Sequence, residues 1–191
     1  MYSEFKERVE ANPVIAAVKD DQGLELALSS DCDVIFFLYG DICSLPDTVD
    51  KVKKMGKTAM VHIDLINGLS SKEIAADYIK KATNADGIIT TKNNLIPHAK
   101  DIGLNTVLRH FVLDSMALVN IEKQSKSGGV QPDFIEFLPG IVVPKMIRKI
   151  NSISRVPIIA GGLITDKEDV VNALDAGATA ISTTNRDVWF M

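Results

Sequence analysis

Membrane-spanning runs, metal-binding clusters and secretion signals are all missing from this 191-residue chain. No apolar stretch approaches the length needed to cross a bilayer, and the opening residues Met1 to Glu10 are too polar for a signal peptide. The expectation is a cytoplasmic protein with no membrane partner. Only two cysteines occur, Cys32 and Cys43, without a CxxC spacing or a His/Cys cluster, so reduced thiols are the default and neither a metal nor another cofactor is expected. Proline and glycine are sparse, at 7 and 12 residues, and 46% of the chain is hydrophobic, which together exclude a disordered polypeptide. The length suits one domain spanning residues 1–191. No GxGxxG follows any apolar run, which removes the usual dinucleotide fingerprint. RRM, KH and OB signatures are lacking too, as is the interleaving of aromatic and basic residues that stacks bases.

The net charge of −4 counts against binding nucleic acid over the whole surface. It is unevenly spread. Residues 1–50 hold three Lys/Arg against eleven Asp/Glu, a net of −8, whereas residues 51–191 hold eighteen against fourteen, a net of +4. A local basic face on the longer part stays open beside the plainer reading of a solvated surface.

What is present is a regular alternation. Short apolar runs recur at Pro13–Val18, Asp33–Leu38, Lys57–Asp64, Asp86–Thr90, Asn105–Arg109, Asp133–Leu138, Pro157–Gly161 and within Ala176–Asn185. Between them lie helical patterns with their own punctuation. Pro46 opens one and Gly56 stops it, Gly103 ends another, and Ser70-x-x-Glu73 and Thr165-x-x-Glu168 read as capping boxes. Strands separated by helices run parallel, and runs such as Val34–Leu38 are apolar enough to be buried on both faces. Eight such units predict a single closed (β/α)8 barrel of the TIM type, with an open doubly wound sheet as the alternative. A short helix over Tyr2–Glu10 covers one end. The last helix, Arg186–Met191, is a stub whose Trp189 and Phe190 either cover the barrel bottom or meet a partner protomer in a homo-oligomer.

A barrel gathers the C-terminal ends of its strands at one mouth. The seventh and eighth strands end in Gly161-Gly162 and in Thr183-Thr184, where glycine admits bare N–H groups to an anion and the hydroxyls add donors. That predicts a phosphate site, against the alternative that the glycines only turn the chain. Lys19, His62, Asp64, Arg109 and Glu136 fall at the same mouth as candidate ligands for the rest of a small phosphorylated molecule. Three of these interrupt apolar strands, and burying His62, Arg109 or Glu136 is costly unless each is paired or binds something. Arg109 and Glu136 fit a buried ion pair between adjacent strands as well as a ligand site. The same groups would also serve acid–base chemistry, with Glu136 or Asp64 as base and Lys19 or His62 as acid.

His62-Ile-Asp-Leu-Ile-Asn-Gly-Leu69, Asp86-Gly-Ile-Ile-Thr-Thr-Lys92, Phe134-Ile-Glu-Phe-Leu-Pro-Gly140, Pro157-Ile-Ile-Ala-Gly-Gly-Leu-Ile164 and Ile181-Ser-Thr-Thr-Asn185, with terminal Val188-Trp-Phe-Met191, resemble the glycerol 3-phosphate-responsive antiterminator family over nearly the whole chain. The resemblance implies a barrel-shaped bacterial regulator. It would bind glycerol 3-phosphate and act on leader mRNA of glycerol uptake and utilisation genes, letting transcription pass a terminator. The chain also resembles phosphate-binding barrels in Gly177-Ala-Thr-Ala180, but the glycine such barrels carry after the next strand falls here on Thr184, exchanging close backbone approach for a hydroxyl. For RNA the candidates are Lys145, Arg148, Lys149 and Arg155, with Lys123 and Lys126 on the neighbouring helix. Lys51, Lys53, Lys54 and Lys57 form a second group. A lyase or isomerase acting on a small phosphorylated polyol or sugar is the competing function.

Overall fold

The computed structural model describes residues 4–126, 128–140 and 144–191. Eight parallel strands close into a barrel in sequence order: β1 (Val14–Val18), β2 (Val34–Phe37), β3 (Thr58–His62), β4 (Gly87–Thr90), β5 (Asn105–Phe111), β6 (Phe134–Leu138), β7 (Ile158–Gly161) and β8 (Ala180–Thr183), with β8 paired to β1. Helix α1 (Glu4–Ala11) precedes them. The connections carry α2 (Asp21–Ser29), α3 (Leu45–Lys54), α4 (Glu73–Ala82), α5 (Leu95–Asp101), α6 (Ser115–Lys126), α7 (Pro144–Ile153) and α8 (Lys167–Asp175), and a 3-10 turn over Asp187–Phe190 takes the last position. This is the single (β/α)8 barrel that the alternation predicts. Of the expected first helix, Tyr2 and Ser3 lie outside the described residues.

The strands' period of two decides which side chains fill the barrel. Ile15, Ala17, Val34, Phe36, Met60, Ile89, Val107, Phe134, Ile159 and Ala180 form the central cluster, joined by Phe5 and Val9 of α1. Phe5 meets Phe134, the first residue of β6, edge to face with ring centroids 5.3 Å apart. Arg8 donates to the Gly56 carbonyl just ahead of β3 at 2.6 Å. α1 therefore seals the end where the strands begin, leaving the opposite mouth for a ligand. The alternate residues, among them Ile35, Phe37, Val61, Ile88, Ile135, Phe137, Ile158 and Ile181, face outward and pack against the helices in two wall clusters.

Three local expectations shift. The Thr165 box moves by one residue, because Asp166 caps α8 by accepting from the Asp169 N–H at 2.9 Å while Asp169 accepts from the Thr165 N–H and hydroxyl. Ser70 does not cap α4, which begins at Glu73 behind Lys72 with no side-chain cap. Trp189 covers neither the barrel bottom nor a partner: it is 3% exposed in the wall cluster with Leu24 and Ala27 of α2, and its indole N–H donates to the Thr183 carbonyl at 2.9 Å. The indole is wide enough to shield the outer face of β1 where a full helix after β8 would otherwise lie, and Arg186 to Asp20 at 3.0 Å holds the turn down. Phe190 is 54% exposed and does not cover the barrel bottom either. No helix among the described residues is long and apolar enough to cross a membrane, and among them no group of three or more His, Cys, Asp or Glu could hold a metal ion.

Candidate functional site

The mouth is built around a carboxylate with no solvent contact. Glu136 on β6 is 0% exposed. Its Oε2 accepts from Arg109 Nε at 2.6 Å and its Oε1 accepts from the Ser182 hydroxyl. These side chains come from β5, β6 and β8, so the strand register itself assembles the chain: Arg109 lies opposite Glu136, and Ser182 opposite Gly161. Gly161 is the space that makes this possible. A Cβ there would stand 2.7 Å from both Glu136 Oε1 and Ser182 Oγ, closer than real Cβ contacts come, so its first role is to admit the carboxylate.

Above this chain is a recess of about 80 Å³ lined by Ala17, Leu38, Arg109, Glu136, Leu138, Gly162 and the run from Ser182 to Thr184. Arg109 is 7% exposed and spends only Nε on Glu136. Among the described residues neither terminal nitrogen has a hydrogen-bond partner, which leaves the planar fork that matches a phosphate or carboxylate. Gly162 adopts φ +79°, a left-handed conformation that glycine takes without strain. Thr184 is exposed at the rim. Lys19 follows β1 at the next inward position after Ile15 and Ala17, exposed and without an ion pair among the described residues.

Thr183 has local hydrogen-bond partners of its own. Ala180 belongs to the central cluster and Ile181 to the wall, so alternation turns Ser182 inward and Thr183 outward. The Thr183 hydroxyl donates to the Ile164 carbonyl at 2.7 Å and accepts from the Asn185 N–H at 3.0 Å, tying the two strand ends together, while the residue also lines the recess. Ser182 is the inward hydroxyl that sequence reasoning passed over. Counting by twos from Ala180 would have found it.

The other half of the mouth comes from β3 and β4. His62 is 2% exposed, and its Nδ1 is buried without a hydrogen-bond partner. Burial, and then the positive charge of Arg109, push its pKa down to about 4, against a smaller opposite pull from Asp64, so the ring is neutral at neutral pH. Asp64 lies beyond the strand, on a 3-10 turn over Ile63–Leu65, not on β3 as the period of two suggested. Burial opposes its charge, but the Thr91 N–H at 2.7 Å, the Thr91 and Thr90 hydroxyls and nearby His62 outweigh it and hold the carboxyl below the usual range. Ser71 also donates to it, at 3.2 Å. With both oxygens engaged, Asp64 is a brace between the β3 and β4 ends.

A larger pocket of about 280 Å³ lies between the β1–α2 and β2–α3 connections, lined by Asp21, Tyr39, Gly40, Asp41, Ser44, Leu45 and Thr48. Two carboxylates and no cation line it, chemistry that repels a phosphate, so size is outweighed here by charge.

Lys145, Arg148 and Lys149 lie exposed on α7, with exposed Arg155 just beyond it; α6, which packs against α7, adds Lys123 and Lys126. The second lysine group does not make a surface of its own. Lys51 pairs with Glu25 at 3.4 Å, Lys53 with Asp86 at 2.7 Å, and buried Lys57 donates to the carbonyls of Ser30 and Cys32.

The family described as glycerol-3-phosphate responsive antiterminator matches residues 14–189. The chain is 46% identical over 178 residues to the "Uncharacterized protein YgcP" of Escherichia coli, covering 93% of this chain and 92% of that one. Among solved structures it is similar to a glycerol uptake operon antiterminator regulatory protein from Listeria monocytogenes, at 34% identity and a TM-score of 0.84 over 92% of this chain and 94% of that one. It is likewise similar to a glycerol uptake operon antiterminator-related protein from Thermotoga maritima, at 38% identity and a TM-score of 0.80 over 94% and 99%.

Proposed function

The chain belongs to the glycerol-3-phosphate responsive antiterminator family, and from that premise we propose that it is a cytoplasmic regulator that binds glycerol 3-phosphate at the barrel mouth and then acts on leader mRNA of glycerol-utilisation genes. One feature carries the effector half of this reading: buried Arg109 has terminal nitrogens without a hydrogen-bond partner among the described residues, at a recess that Gly162 and Thr184 also line, and exposed Lys19 lies two residues beyond Ala17 of the same lining. The phosphate sits there, with Glu136 holding the guanidinium and the Ser182 hydroxyl holding Glu136. The glycerol hydroxyls fall to the His62 side, where a neutral imidazole can donate or accept.

The competing lyase or isomerase would need a carboxylate free to take a proton. Glu136 and Asp64 are both committed to donors, which favours holding a ligand over transforming it.

Thermal unfolding with and without glycerol 3-phosphate tests the effector half. A ligand at a hundredfold excess over its Kd adds about 2.7 kcal/mol, or roughly 5 to 10 °C for a chain of this size. Lys19→Ala should leave the midpoint of the free protein unchanged, since Lys19 is exposed and unpaired, and shrink that shift. An equal shift in the variant would remove Lys19 from the site, and no shift in the parent would remove the site itself. Gel shift of glycerol-operon leader RNA, with and without glycerol 3-phosphate at a fixed salt concentration, tests the output. Binding indifferent to the effector would sink the regulator reading, and turnover of phosphorylated polyols by pure protein would replace it with the enzyme.

A further inference from the structure

We propose that the outward face of α7, continued by the end of α6, holds the phosphate backbone of a folded RNA stem; the inference rests on the antiterminator reading above. α7 divides cleanly. Ile147 and Ile150 are buried and Met146 and Ile153 pack beside them on the wall cluster, which turns Lys145, Arg148 and Lys149, spaced i, i+3 and i+4, to solvent. The helix has no acidic residue. Arg155 extends the face beyond its end, and Lys123 and Lys126 extend it across α6.

Residues 115–155 contain three carboxylates against these six cations. Asp133 and Glu136 are buried and paired with Lys100 and Arg109, so they do not offset the surface. Glu122 alone is at the surface; Lys126 at 2.6 Å and, more weakly, Lys149 hold its carboxyl below the usual range. The remaining cations, Lys123, Lys145, Arg148, Lys149 and Arg155, have no ion pair among the described residues.

The rest of the barrel orients the polyanion. In the closed strand order β6 stands across the ring from β2, so α7 and α3 occupy opposite walls. The α2–α3 side belongs to the first fifty residues with their net −8, and three lysines of the group around α3 are already spent. The α2–α3 side is therefore the poorer place for RNA, and the α6–α7 wall carries the denser cationic face. That wall offers no aromatic residue on α6 or α7, so it cannot stack unpaired bases. Cations without stacking platforms suit the phosphate rails of a stem, whose deep groove hides its base edges anyway. The same βα unit reaches the effector recess: Leu138 lines it, and the Gly140 N–H donates to the Gly162 carbonyl at 2.9 Å.

The test is binding of a glycerol-operon leader hairpin, with glycerol 3-phosphate present, by the full chain and by the triple variant Lys145→Ala, Arg148→Ala, Lys149→Ala across a salt series. Three lost phosphate contacts should lower the slope of log K against log salt by about 3 and weaken binding roughly a hundredfold near physiological salt. Lys51→Ala with Lys54→Ala should bind as the parent does. The glycerol 3-phosphate thermal shift, unchanged in the triple variant, shows that it is folded with its mouth intact. A parent that binds while the triple variant binds equally well, or with the same salt slope, removes this surface and leaves the antiterminator reading standing. A parent that binds no leader RNA removes both.

Discussion

Replacing Glu136 by Gln alters the centre of the mouth by one atom and one charge. The native carboxylate has two donors, Arg109 Nε at 2.6 Å and the Ser182 hydroxyl, and no solvent. Gln keeps the shape, but its amide oxygen can accept from only one of them and its NH₂ must face the other. Arg109, itself nearly buried, loses its counter-charge. Removing one partner of a buried pair costs about 3 to 5 kcal/mol. Because the Arg109 fork opens on the recess, water relieves part of this, which sets the expectation near 3 kcal/mol, or a fall of about 6 to 12 °C in the thermal midpoint. Glycerol 3-phosphate should behave in the opposite sense. The stranded guanidinium gains a counter-charge from the phosphate, so the ligand-induced shift grows, equivalent to roughly tenfold tighter binding. Replacing both partners, Arg109→Met with Glu136→Leu, should recover most of the stability and abolish the ligand shift. Differential scanning fluorimetry of the three proteins over a ligand titration decides the matter. A Glu136→Gln protein as stable as the parent, or one whose ligand shift falls, would refute the account of Arg109 as an anion fork held by a buried carboxylate.

Gly161→Ala should destabilise the protein by about 1 to 3 kcal/mol in urea unfolding, because its methyl group would meet the Glu136 and Ser182 oxygens at 2.7 Å and force the buried carboxylate aside; an unchanged midpoint would mean the space is not needed. Thr183→Ala should lower stability by about 1 kcal/mol through the lost Ile164 and Asn185 bonds yet leave the glycerol 3-phosphate shift intact, and a lost shift would return this hydroxyl to the ligand. His62, with its pKa pushed down from the ordinary 6.5 to about 4, stays neutral in the fold while the unfolded chain takes up a proton. Stability should thus fall as pH drops through that window, by about 3 kcal/mol in all. His110, also depressed by burial, adds to the same trend, so His62→Gln should give a shallower but not flat profile, and equal slopes in variant and parent would dismiss His62 as its source.

Much of this protein was legible before folding because it is written locally. Eight apolar runs spaced by helical patterns leave parallel pairing as the only arrangement that satisfies each strand, and Gly56 and Gly103 stop α3 and α5 at positive φ as their positions suggest. The Arg109 and Glu136 pair was readable as well, since two charges at matching depth in consecutive strands have little else to meet. Other features needed neighbours from distant sequence. Gly161 reads as a turn glycine until Glu136 and Ser182 arrive from β6 and β8. The lysines of α3 and α7 look alike along the chain, yet Glu25 and Asp86 pair with two of one group, while among the described residues the lysines of α7 have no ion pair. Sequence alone settled the number and the parallel sense of the strands, because hydrophobic period and chain connectivity are properties of short segments. Only the closed barrel decided which hydroxyl turns inward, which lysines find carboxylates among the described residues and why a buried carboxylate is tolerated, because each depends on side chains that meet through the packing of elements far apart in the chain.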